Sequence, residues 1–293
     1  MQVNSSYVGS VSKPLEQEIT WRHSMNFAAG VGDNNPAYFD DEREEGIVAP
    51  PMLSVALTWP FGEDAASYWD PEQFPLDLLV RQVHYTETIE FYRVMRPGDK
   101  LTIIADLATV MPHRGGTYLI IRCTARDQAG EPVFTEYAGA LLRGVKCLDK
   151  GTGSENVPHV PKCEVEGPPI WEETLHVDPL APHIYDGCAD IYNPIHTSNR
   201  FAKSVGLPGN IVQGTCTLSW AFRDILNREA GGDPARIKRI SCRFTGMVRP
   251  GTAIAIRLLA RVPGDGHDEV FFEVANADGK RAISEGYVVL GAN

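Results

Sequence analysis

The segment Asp186-Gly187-Cys188-Ala189-Asp190-Ile191-Tyr192-Asn193-Pro194-Ile195-His196 places two carboxylates and an imidazole within eleven residues. Pro194 fixes its own φ and drives Asn193 toward extended geometry, so residues 193–196 read as a turn. A helix can begin just beyond it, because Thr197, Ser198 and Asn199 are good N-terminal residues and Gly206 is a good stop. An Asp and a His held on one turn are suited to moving a proton and activating a water. The plainer reading is an Asx-Pro turn followed by a polar surface histidine, and spacing alone does not separate the two.

Working outward, the turn has a counterpart earlier in the chain. Gly32-Asp33-Asn34-Asn35-Pro36 matches the Asn193-Pro194 turn, and Ile47-Val48 matches Ile211-Val212. Val94-Met95-Arg96-Pro97-Gly98 matches Met247-Val248-Arg249-Pro250-Gly251, and Gly130 and Glu136 match Gly279 and Glu285. The order is kept while the spacing drifts, as in an internal repeat whose loops differ in length. Each half gives an Asn-Pro turn, an apolar helix and then a run of strands. Leu218, Phe222, Ile225 and Leu226 form one stripe and predict a helix from 215 to about 229. In the first half, 52–59 predicts a shorter helix cut by Pro60. Runs rich in β-branched and aromatic residues predict strands at 81–92, 101–110, 117–126 and 132–143, then at 237–245, 253–262, 269–275 and 282–290. Asp278-Gly279 is a good hairpin turn. Between the halves, 151–169 is rich in Gly and Pro and reads as a linker. One helix followed by several antiparallel strands, twice, is an α+β architecture.

The 293 residues fit one large domain or two of half that size, and the composition is ordinary for a soluble protein, 43% hydrophobic and 22% charged. No run approaches the ~18 apolar residues of a membrane span. The polar start, Met1-Gln2-Val3-Asn4-Ser5-Ser6, lacks the order of a signal peptide. Six cysteines lie at wide intervals without a Cys-x-x-Cys pair. That argues against a disulfide framework or a metal site and for a reducing, cytoplasmic setting. A formal net charge of −11 argues against general nucleic-acid binding, though not against a local basic pocket.

Asn193-Pro194-Ile195-His196, Ala202, Gly206, Ile211-Val212-Gln213-Gly214-Thr215 and Val248-Arg249-Pro250-Gly251 together resemble the MaoC-like dehydratases, the hydratase 2 or (R)-specific enoyl-CoA hydratase family. The resemblance covers nearly the whole chain and is most specific over 183–252. It implies a double hot-dog, two repeats that each wrap a curved antiparallel sheet around a central helix. The repeats would be 1–148 and 171–293, joined by 149–170. The family motif is Gly-Asp-x-Asn-Pro-x-His, with a His-Gly pair opening the central helix. Asn193, Pro194, His196, Ala202 and Gly214 match it. Two positions depart: Ile191 stands where the family has its Asp, with Asp190 one residue earlier, and Gln213 replaces the family His. In the first half Tyr38 replaces the His, so the resemblance assigns pocket shaping to that half and chemistry to the second.

The resemblance implies hydration of a trans-2-enoyl-CoA to a 3-hydroxyacyl-CoA, or the reverse, with coenzyme A as part of the substrate and no other cofactor. His196 and Asp190 are the expected water-activating pair, with Asp186 or Asn193 as substitutes if Asp190 points away. Gly214 is the expected backbone donor to the thioester oxygen, from the positive end of its helix. Arg239 and Arg243 lie with Ser241 on one face of a strand in the densest basic stretch, and with Arg200 and Lys203 they are candidates for the phosphates. Asn193 and Gln213 are further substrate-binding candidates. His84 reads as a structural or pocket-wall histidine, since no acid partner is placed by the sequence. Cys188 and Cys216 flank the site and read as small packed cysteines. Trp59, Phe61, Tyr68, Trp69 and Phe74 suggest a roomy acyl pocket. A hot-dog thioesterase and a non-catalytic acyl-CoA-binding subunit are the competing readings, and self-association into a homo-oligomer stays open.

Overall fold

The computed structural model describes every residue except Pro75, Glu164, Val165 and Asn293. The first half runs β1 (Gln2–Val3), β2 (Leu15–Glu18), α1 (Trp21–Gly30) and α2 (Pro36–Phe39). Three short helical pieces follow: α3 (Ser54–Thr58), α4 (Pro60–Glu63) and α5 (Ala65–Tyr68). Then come β3 (Gln82–Phe91), β4 (Lys100–His113), β5 (Gly116–Asp127), β6 (Pro132–Arg143) and the short β7 (Lys146–Cys147). The second half runs β8 (Trp171–His176), α6 (Ala181–Ala189), α7 (Pro194–Thr197), α8 (Asn199–Ser204) and α9 (Gly214–Glu229). It closes with β9 (Ile237–Phe244), β10 (Ala253–Pro263), β11 (His267–Ala275) and β12 (Arg281–Gly291).

Ten strands form one sheet in the order β2-β4-β5-β6-β3-β9-β12-β11-β10-β8. Read outward from the middle, each half lays its strands in the same sequence, so the internal repeat is a structural repeat. The two halves join where β3 pairs antiparallel with β9, with Ile89 opposite Ile240 and Thr88 opposite Ser241. Glu90 pairs with Arg239 across this seam, and the Thr88 hydroxyl donates to the Ser241 hydroxyl at 3.0 Å. Alternating side chains put Ile89, Phe91, Ile240 and Cys242 on the face that packs against the helices. The main core takes residues from both halves, from Leu15 to Leu290.

The predicted strands and the helix over 215–229 are present, with ends shifted by at most a few residues. The first-half helix is longer than 52–59. Pro60 lacks an N–H to donate and therefore opens a new helical piece, and a further piece follows to Tyr68 after a break at Asp64, φ −122° and ψ 53°. α1, α6, β2 and β8 are additions to the sequence reading. Residues 186–189, to which the sequence reading gave no element, belong to helix α6. Among the described residues, no helix is long and apolar enough to cross a membrane.

Candidate active site

The second-half turn is held in place by backbone and cap bonds. Pro194 opens α7, and the Asn193 side chain accepts the Ile195 N–H at 3.1 Å. Asn193 is thus the helix cap rather than a free ligand group. The His196 carbonyl accepts from Asn210 Nδ2 at 3.0 Å. Across the turn, His196 Nδ1 donates to the Ile211 carbonyl at 2.8 Å. A carbonyl only accepts, so Nδ1 carries the hydrogen and Nε2 is left with a lone pair. Burial pushes the His196 pKa down to about 4, against the smaller opposing effect of the Ile211 carbonyl. At neutral pH His196 is therefore an uncharged imidazole whose Nε2 can accept a proton.

The Ile211 that receives His196 leads straight into α9. Val212 N–H is tied to the Val248 carbonyl at 2.9 Å, in the conserved-order Val248-Arg249-Pro250-Gly251 turn of the repeat. Gly214 is the first residue of α9, and no side chain caps this end. Among the described residues its N–H has no acceptor, and it lies at the positive end of a sixteen-residue helix. A Cβ at Gly214 would meet the Phe244 ring at 3.1 Å, so glycine is needed for α9 to begin this close to β9. His196 is thus hydrogen-bonded to the carbonyl of Ile211, three residues before Gly214.

Asp190 is not brought there. It ends α6 in the left-handed conformation, φ 58°, with its N–H bonded to the Asp186 carbonyl at 3.0 Å. The reversal at Asp190 turns its exposed side chain toward Asp186 and Glu63, whose carboxyl it pushes up together with burial. The following residue, Ile191, goes into the core at 4% exposure. Among the described residues no carboxylate contacts His196. Asp186, the substitute acid, sits one helical turn back beside Asp190.

The remaining candidates divide. Gln213 is buried and its amide nitrogen donates to the Pro182 carbonyl at 3.0 Å, tying α6 to the start of α9. Arg239 is committed to Glu90, and Arg243 to Glu285 at 2.9 Å. Arg200 and Lys203 stand exposed on α8, immediately after the His196 turn. Cys216 is fully buried and burial pushes its thiol pKa up, so it is packing rather than a nucleophile. The first-half turn is buried against the other end of α9. Asn35 Nδ2 donates to the Gly232 carbonyl at 2.7 Å, and Arg223 donates to the Val31 carbonyl at 2.8 Å. Asp33 neighbours Arg223 and Asn227, thirteen residues along α9 from Gly214 at the farther contact, or ~20 Å at 1.5 Å per residue. Asp33 therefore does not serve His196.

One neighbour of the site has a partner that the sequence did not place. The His84 ring packs at 4.6 Å from the Phe244 ring, and Phe244 is also the ring against Gly214. His84 does have an acid partner, Glu87, 3.0 Å away. A strand places residues three apart on opposite faces, so the pair was invisible without the β-bulge at Tyr85. The one available signal was an acidic residue, Glu87, three positions after His84 on a predicted strand.

Residues 165–278 match the MaoC-like domain, and residues 6–136 match the FAS1-like dehydratase domain region. The second half is thus similar to the MaoC-like domain and the first half to the dehydratase region of FAS1-like proteins. It is 26% identical to a probable enoyl-CoA hydratase 2 of Dictyostelium discoideum over 95% of this chain and 93% of that protein. It is likewise 26% identical to the 3-hydroxyacyl-thioester dehydratase Y of Mycobacterium tuberculosis, over 96% of this chain and 95% of the relative. A crystal structure of a MaoC-like dehydratase from Phytophthora capsici superposes with a TM-score of 0.84 at 23% identity, covering 99% of this chain and 100% of that one. The MaoC-like fold is therefore a double hot-dog in this chain, with α9 the intact central helix and α3–α5 its broken counterpart.

Proposed function

We propose that this MaoC-like protein adds water across the double bond of a trans-2-enoyl-CoA, or removes it from the 3-hydroxyacyl-CoA. The observation that carries the reading is the neutral His196, fixed by Ile211 beside the uncapped α9 start. Its Nε2 takes a proton from water while the water oxygen bonds to the β-carbon. Charge builds on the thioester oxygen, and the Gly214 N–H at the positive end of α9 stabilises it. Protonation of the α-carbon then completes the addition. The hydratase and dehydratase names of the full-length relatives support this chemistry. Arg200 and Lys203, exposed beside the turn, are the cations for the coenzyme A phosphates in this reading. Arg239 and Arg243 are already paired within the chain.

The test follows loss of the conjugated thioester absorbance across a trans-2-enoyl-CoA series while titrating free thiol in the same tube. Absorbance loss without thiol release is expected. Stoichiometric thiol release would mean a thioesterase, and binding of acyl-CoA without either signal would mean a non-catalytic subunit.

A further inference from the structure

The His196 turn lacks its acid, and a buried carboxyl pair lies near the α9 start without any role so far. The β3–β6 ladder slips between His84 and Thr86: His84 faces Ala140, Thr86 faces Gly139, and Tyr85 is the extra residue. The slip brings His84, Glu87 and Ile89 to one face, level with Ala140, Ala138 and Glu136 of β6. His84 Nε2 lies 3.0 Å from Glu87 Oε2, with the imidazole 35% exposed and the Glu87 side chain wholly buried. Glu136 is 3% exposed and adjoins Glu87. The Thr88 N–H and the Glu136 carboxyl approach Glu87, yet neither Glu87 oxygen finds a well-aligned donor among the described residues, nor does Glu136 Oε2. Burying a carboxylate without donors is costly, so a carboxyl that persists there is held as the acid. The opening of this cluster is at His84, against the same Phe244 ring that touches Gly214.

We propose that His84, Glu87 and Glu136 form a proton relay that opens beside the α9 start and supplies the acid that Ile191 removes from the second-half turn. The proposal rests on the hydratase reading above. His84 is the catalytic residue, the one that touches substrate. Glu87 and Glu136 are positioning residues that orient it and hold its proton. Burial raises both carboxyl pKa values well above their ordinary range and lowers that of His84, so the resting pair is a neutral imidazole with a protonated Glu87. During hydration the water oxygen bonds to the β-carbon and the water proton goes to His196 Nε2. The α-carbon takes the Nδ1 proton of His84 while Glu87 passes its own proton to Nε2. Protonated Glu136 donates to the new Glu87 carboxylate. Solvent then carries the proton from His196 to His84 Nδ1 while the Nε2 proton returns to Glu87, so both residues regain their resting forms and the net change is one water added with nothing oxidised or reduced.

The relay works only while Glu87 holds its proton, so kcat falls on the alkaline side as the pair ionises. The groups facing Glu87 are His84 on its own strand, Glu136 from β6, Cys123 and Tyr118 from β5, Cys242 from β9 and Tyr185 from α6. The decisive variant is Glu87→Gln, which keeps the volume and loses the proton, assayed on the best enoyl-CoA over a range of pH. We expect kcat to fall about 100-fold with KM within about threefold of the parent, and the alkaline limb to vanish. A folded Glu87→Gln with kcat within about twofold of the parent, or with an unchanged alkaline limb, overturns the relay. If Glu87→Gln fails to fold, the partly exposed His84→Asn is judged by the same criteria. A parent that hydrates no enoyl-CoA removes the hydratase reading and the relay with it, whereas an active parent with an indifferent Glu87→Gln removes the relay alone.

Discussion

At the scale of the residue, His196 and Asp190 show how far chemistry follows position. His196 was singled out by the family resemblance of its Asn-Pro-x-His turn, because spacing alone did not separate it from a polar surface histidine. The surroundings of Asp190 were not legible, because it caps α6 in the left-handed conformation at φ 58° and nothing in the letters marks that reversal. Asp190→Asn is therefore expected to leave kcat within about twofold of the parent, since asparagine also tolerates the left-handed region. A loss of kcat of about 100-fold or more in a steady-state assay would restore Asp190 as the acid. His196 also makes a stability prediction. Its pKa falls from 6.5 unfolded to about 4 folded, so between those values the unfolded chain binds a proton that the folded chain refuses. Stability then drops as pH falls through that window, by about 2 kcal/mol between pH 7.5 and 5 from this group alone. Urea unfolding at both pH values should show this loss in the parent and a smaller one in His196→Gln. Equal losses would mean that His196 titrates normally.

At the scale of the element, the strands and α9 were readable because their periodicity extends over eight residues or more. The bulge at Tyr85 was not, because a single extra residue leaves the local composition of β3 unchanged while altering which face His84 uses. The bulge is matched by Gly139 opposite Thr86, where a Cβ would lie 2.0 Å from Thr86 Oγ1 and 2.8 Å from the Tyr118 hydroxyl. Those two hydroxyls are hydrogen-bonded at 2.6 Å, so a methyl group there must break the pair or shift a strand. Gly139→Ala is expected to cost about 1–3 kcal/mol in urea denaturation. A neutral result would mean that the register at the bulge is wrong. The break at Pro60 was half-read for a related reason: proline ends the hydrogen-bonded run behind it but is well suited to open the next one.

At the scale of the whole molecule, the repeat predicted two similar units but not how they meet. Their seam is the β3–β9 pairing, and the apolar faces on both sides of it feed one core. The first-half turn is further fastened to the end of α9 by Asn35 and Arg223. The sequence could not show this, because the contacts join residues more than 190 positions apart. The two halves are expected to unfold as one cooperative unit, with tryptophan fluorescence and far-ultraviolet circular dichroism giving coincident transitions. Ile89→Ala, at a fully buried seam position, should lower that single midpoint by an amount worth about 2–5 kcal/mol. Two separated transitions, or loss of only half the structure, would show that the halves fold independently.

The most direct test of the account is the hydration rate of a trans-2-enoyl-CoA by the parent and by His196→Ala, each checked for fold by circular dichroism. An active parent and a fall in kcat of about 100-fold or more in the variant, with the fold retained, are expected. An active parent matched by an equally active His196→Ala would place the chemistry elsewhere and contradict it.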